Sequence, residues 1–135
     1  MILKVKHAMR SDPTIVDKDT TVAEAAHRLI QSGHDTIFVV DRKEIKGVVN
    51  LKNVVRYTYT EGFRPSQTPV SEITNEEIIL ARPNTSLEDV LTIMTELKQG
   101  TLPVVDEELV GSINIYDLLR AQPQTKPLET SPYLA

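Results

Sequence analysis

Ile37-Phe38-Val39-Val40-Asp41 recurs 65 residues later as Leu102-Pro103-Val104-Val105-Asp106. Each is a short apolar run closed by an aspartate, the pattern of a buried strand running into a turn. The agreement spreads outward from this pair. Upstream, residues 12–41 lie over 77–106, with Thr20 on Thr85 and Thr36 on Thr101. Downstream, one residue is lost in the turn and the offset falls to 64. Gly47-Val48-Val49-Asn50 then meets Gly111-Ser112-Ile113-Asn114, and Arg56 meets Arg120. Order, spacing and residue type all repeat, so the chain is built from two copies of one unit.

Both copies read alike. A β-rich piece, Thr14-Ile15-Val16 or Ile78-Ile79-Leu80, precedes a helix start in which Thr21 and Glu24, or Ser86 and Asp89, stand three apart as in a capping box. Apolar residues follow at helical spacing: Val22, Ala25, Ala26, Leu29 and Ile30, then Leu87, Val90, Leu91, Met94 and Leu97. Two strands come next, over 37–40 and 45–49, then 102–105 and 109–113. A second helix closes each unit, with Leu51, Val54 and Val55, or Ile115, Leu118 and Leu119, on its inner face. The fold class is α/β (α+β), with units of strand-helix-strand-strand-helix. A unit of this size is marginal alone, so two copies packing their sheets face to face make better physical sense. The boundaries are 1–61 for the first repeat, 62–69 for a linker with two prolines, 70–121 for the second repeat, and 122–135 for a flexible Pro-rich tail.

Composition narrows the function. At 135 residues with 40% hydrophobic and 25% charged residues, the chain fits a soluble globular protein. It has no cysteine, which excludes disulfides, thiolate metal sites and a cysteine nucleophile. No apolar run approaches the roughly 18 residues of a membrane helix, so no membrane partner is expected and a cytoplasmic location is. A formal charge of −4, with four Tyr, two Phe and no Trp, argues against direct nucleic-acid binding. His7, His27 and His34 lack the spacing of a metal site, so no metal is expected. No nucleophile triad, paired carboxylates or Gly-rich phosphate loop is present, so no catalytic residue is assigned and the chain is read as a non-enzyme.

Val5-x-x-x-Met9, a helix, Val39-Val40-Asp41, and then Leu102-Pro103-Val104-Val105-Asp106 with Gly111 to Asp117 resemble the cystathionine β-synthase (CBS) domain, present twice over residues 5 to about 121. The resemblance implies two units about a pseudo-two-fold axis, three-stranded sheets packed together, and clefts between the units. Many members bind AMP, ADP, ATP or S-adenosylmethionine there, report to an attached enzyme, channel or transcription factor, and pair as dimers. A homodimer is therefore expected, with Val54, Val55, Leu118 and Leu119 as candidate faces. An adenosine-containing regulatory ligand is expected, and no other cofactor. A fused or associated effector domain is a further expectation, in which the chain is the N-terminal sensor of a larger regulator.

In ligand-binding members a Gly-φ-φ-(Thr/Ser)-x-x-Asp stretch, φ being apolar, places a hydroxyl near the sugar-phosphate and an Asp on the ribose. Here the second copy reads Gly111-Ser112-Ile113-Asn114-Ile115-Tyr116-Asp117, and the first reads Gly47-Val48-Val49-Asn50-Leu51-Lys52-Asn53. The resemblance therefore assigns the better cleft to Asp117, Asn114 and Ile113, with Thr101 and Pro103 from the neighbouring strand and Met9, Asp12 and Thr14 from the other repeat's opening segment. The weaker cleft takes Asn53, Asn50, Thr36, Thr74, Glu77 and Ile79. Plainer roles stand beside these. Asn50 and Asn114 sit where N-caps belong, Met9 and Ile79 suit a core, and Asp117 in a first helical turn is favoured by the dipole alone. As a solvated residue, Asp117 would contribute only about 0.3–1 kcal/mol to folding. The neighbours of Thr36 and Thr101 are His34-Asp35 and Gln99-Gly100 rather than the His-Arg pairs of some relatives, which argues against a triphosphate. The competing reading is an interaction module whose clefts stay empty and whose task is dimerisation.

Overall fold

A computed structural model describes residues 2–60, 62 and 64–121. The tail 122–135 lies outside the described residues. The elements run α1 (Val5–Ala8), β1 (Ile15–Asp17), α2 (Val22–Ser32), β2 (Thr36–Asp41), β3 (Glu44–Asn50) and α3 (Leu51–Thr60). A 3₁₀ turn (Val70–Ile73) opens the second copy, followed by α4 (Leu87–Leu97), β4 (Thr101–Asp106), β5 (Glu108–Asn114) and α5 (Ile115–Ala121). Local chemistry sets the ends. Thr21 Oγ1 accepts the Glu24 amide and Ser86 Oγ the Asp89 amide, each at 3.1 Å, capping α2 and α4. Both helices stop on left-handed residues, Gly33 and Lys98. The β2–β3 hairpin turns on Arg42 and Lys43, both at positive φ, whereas Glu107 alone does so in the shorter β4–β5 turn.

The two sheets are not equal. β1 pairs parallel with β2, and β2 antiparallel with β3, giving three strands. The second sheet has only β4 and β5, and Ile78–Leu80 forms no strand; one parallel bridge, Ala81 to Val104, stands in its place. Pro103 supplies the physical reason. In the first copy the Phe38 amide donates to the Thr14 carbonyl at 2.9 Å. The matching donor in the second copy is Pro103, which has no N–H.

Each unit's core is completed by the other unit's opening turn. One core gathers Val16, Val22, Ala25, Leu29, Ile37, Val39, Val49 and Val54, together with Val70 and Ile73 of the 3₁₀ turn. The other gathers Ala81, Val90, Met94, Leu102, Val104, Ile113 and Leu118, together with Val5 of α1. Backbone bonds repeat the exchange. Val5 N donates to Thr85 O at 2.8 Å, and Val70 N to Thr20 O at 2.7 Å. The linker is fastened by the same logic, since Thr68 and Pro65 carbonyls accept from Val22 and Ala23, first-turn amides of α2 that have no partner within the helix.

The exchanged arms cross a glycine each. Arg10 pairs with Ser112 beside Gly111, and Asn75 with Val48 beside Gly47. A Cβ on Gly111 would stand 2.3 Å from the Arg10 carbonyl oxygen, and one on Gly47 at 2.3 Å from that of Asn75. The glycines of the repeated motif therefore exist to let an arm pass against the strand.

Candidate functional site

Two cavities open where the repeats meet. The larger, about 590 Å³, is lined by Arg10, Thr14, His34, Asn114, Tyr116 and Arg120 among others. The smaller, about 470 Å³, is lined by Asn50, Lys52, Asn53, Asn75, Lys98 and Gln99 among others. Four residues line both: Asp35, Thr36, Gly100 and Thr101. The two cavities thus adjoin where β2 and β4 begin.

Asp117 occupies the first turn of α5, and its side chain is 1% exposed. Its Oδ2 accepts the Asn114 amide at 2.9 Å while Asn114 Oδ1 accepts the Asp117 amide at 3.0 Å, a reciprocal cap. Its Oδ1 accepts from Arg10 Nε at 3.2 Å and from Arg120 Nη2. The carboxylate is therefore not the solvated first-turn residue that its sequence position suggests. The arm brings Arg10 over it, and the α5 turn brings Arg120. Asn50 and Asn53 cap α3 by the same reciprocal bonds, at 2.9 and 3.2 Å, without any charge.

Of the residues assigned to the better cleft, Thr14, Asn114 and Thr101 line the larger cavity. Asp117 lies behind Arg10 and Arg120, which do line it. Ile113 and Pro103 are buried, Met9 packs on the second core, and Asp12 is exposed away from both cavities. Of the weaker set, Asn50, Asn53 and Thr36 line the smaller cavity. Ile79 packs on the second core, Glu77 is exposed, and Thr74 lines a separate shallow groove with Lys18 and Lys46. The histidines do not converge. His7 Nδ1 accepts the Lys4 amide at 2.9 Å, His34 Nδ1 lies 2.8 Å from Thr14 Oγ1, and His27 is exposed on α2.

Arg10, His34, Asp35 and Arg120 were not assigned to the site by sequence. The signal for Arg10 is a paired change between the repeats: Arg10 matches Asn75 where Asp117 matches Asn53. Where the carboxylate is lost, its cation from the arm is lost as well.

The CBS domain family model matches residues 5–59 and again 70–124. CBS domain-containing protein YhcV of Bacillus subtilis is 35% identical over 115 residues, covering 84% of this chain and 81% of that protein. The magnesium transporter MgtE of Thermus thermophilus is 32% identical over 119 residues, covering 82% of this chain but 25% of the transporter. The cytosolic domain of the Mg2+ channel MgtE, solved in complex with ATP, superposes with a TM-score of 0.74 at 28% identity, over 88% of this chain and 48% of that one. The CBS domain pair of protein MJ0100, solved with 5'-methylthioadenosine and S-adenosyl-L-methionine, superposes with a TM-score of 0.79 at 21% identity, over 89% and 95%. With two matched units, exchanged arms and clefts at their junction, the chain belongs to the CBS domain family as a tandem pair.

Proposed function

We propose that the chain is a regulatory ligand-sensing module that binds an adenosine-containing ligand in the larger cleft between its repeats. The observation that carries this reading is the Arg10–Asp117–Arg120 cluster beside a cavity of about 590 Å³, a size suited to a small organic ligand. Asp117 is the ribose acceptor in this reading. A diol reaching its carboxylate displaces Arg10 or Arg120, and the freed guanidinium turns to the ligand's phosphate, a charge-assisted contact. Arg10 belongs to the arm that completes the other repeat's core region, so its release is what the module reports. The ATP complex of the MgtE cytosolic domain supports an adenine nucleotide as the ligand class.

A second reading is favoured by a specific surface. Leu51, Val55 and Tyr59 form an exposed stripe along α3, and Ile115 and Leu119 its counterpart on α5. These faces suit a homodimer, either as the sensor's own assembly or as the task of a module with empty clefts. Of the residues that helical spacing places on the inner face, only Val54 and Leu118 are buried in the cores, whereas Leu51, Val55, Ile115 and Leu119 are exposed.

A thermal-shift screen against AMP, ADP, ATP and S-adenosylmethionine tests the proposal. A ligand that binds the native state alone raises the midpoint. A rise with at least one of them is expected; an unchanged midpoint with all four moves the weight to the dimerisation module.

A further inference from the structure

Asp35 stands at the join of the two clefts. Its Oδ1 accepts from Thr36 Oγ1 at 3.1 Å and from Thr101 Oγ1 at 3.2 Å, so one carboxylate ties together the first residues of β2 and β4. Among the described residues it is the one acidic side chain lining either cavity. Its counterpart in the second repeat is Gly100, so the repeat puts a single negative charge where the two clefts adjoin.

We infer that Asp35 is the specificity-determining residue of the larger cleft, limiting the ligand there to a nucleoside with at most one phosphate. The inference rests on the adenosine reading above and adds a limit on charge. Two effects act in one direction. The carboxylate repels each further phosphate brought against it, and because Asp35 is exposed that repulsion is strongest at low salt. It also holds the hydroxyl protons of Thr36 and Thr101, the donors that a second or third phosphate would otherwise use. Lys52 and Lys98 offset the charge in the smaller cleft, which confines the limit to the larger one. Arg10 and Arg120 in the larger cleft already face Asp117, which leaves charge enough for one phosphate once the ribose takes over that carboxylate.

The test is a titration followed by amide NMR shifts of Thr36, Thr101 and Asn114, with AMP, ATP and inorganic tripolyphosphate, on wild type and Asp35→Asn at low salt. Asp35→Gly, which restores the counterpart residue, serves as a second variant if the first is unfolded. Wild type is expected to bind AMP more tightly than ATP. Either variant is expected to raise the ATP-to-AMP affinity ratio at least about tenfold. An unchanged ratio overturns the inference. If neither nucleotide binds any of the proteins, the adenosine reading fails and the tripolyphosphate arm decides. A gain of tripolyphosphate binding on losing Asp35 then supports the charge limit, and no gain overturns it.

Discussion

Arg10, on the arm between α1 and β1, and Asp117, in the first turn of α5, form an ion pair at 3.2 Å although 107 positions separate them. The pair ties the opening of one repeat to the close of the other at the mouth of the larger cleft. Its carboxylate is buried while the Arg10 side chain is 44% exposed, so the cation is the member free to move.

The burial changes what Asp117 means for folding. Asp117→Ala removes the acceptor of the Asn114 amide and of two guanidinium groups. A loss of about 1–3 kcal/mol is expected, well above that of a solvated first-turn carboxylate. Asp117→Asn keeps the reciprocal cap, as Asn53 does in the first repeat, and is expected to cost less than Ala. Urea unfolding of the three proteins checks the order. An Ala variant as stable as wild type would show that the ion pair contributes nothing net.

The arm crossings make a sharper claim about glycine. Gly111→Ala and Gly47→Ala each drive a Cβ into a backbone carbonyl oxygen at 2.3 Å, and each is expected to cost more than about 2 kcal/mol. Gly100 has open space around its Cβ position, so Gly100→Ala is expected to stay within about 0.5 kcal/mol. Thermal unfolding separates the three. Equal midpoints would contradict the crossing geometry.

Much of this was legible in the chain, and the rest failed for definite reasons. The strands and helices were readable because apolar spacing, Thr21 and Ser86 caps, and hairpin turns are local signals. The absence of a strand at Ile78–Leu80 was not read, although Pro103 on the neighbouring strand carries its cause. Residue type at 78–80 favours a strand, but pairing needs a donor from across the ladder. The burial of Asp117 was invisible because a first-turn Asp looks the same whether or not a distant Arg10 covers it. Met9 and Ile79, in contrast, pack on the core as their chemistry suggests.

The exposed stripes on α3 and α5 predict association. Light scattering is expected to give twice the 15.1 kDa chain mass at micromolar concentration. Val55→Asp combined with Leu119→Asp puts charge at the centre of both stripes and is expected to give a monomer without loss of fold. A wild-type monomer, or a dimer untouched by both substitutions, would move the interface elsewhere.

The central claim is that the Asp117 cleft holds an adenosine ligand, and calorimetric titration of AMP tests it most directly. Wild type, Asp117→Ala and Asn53→Ala are compared under one buffer. Loss of charge-assisted bonds worth about 1.5–3 kcal/mol predicts a ten- to hundredfold weaker affinity for Asp117→Ala, and a smaller change for Asn53→Ala. Equal affinity in wild type and Asp117→Ala would contradict the account, as would no heat of binding from the wild type with either AMP or S-adenosylmethionine.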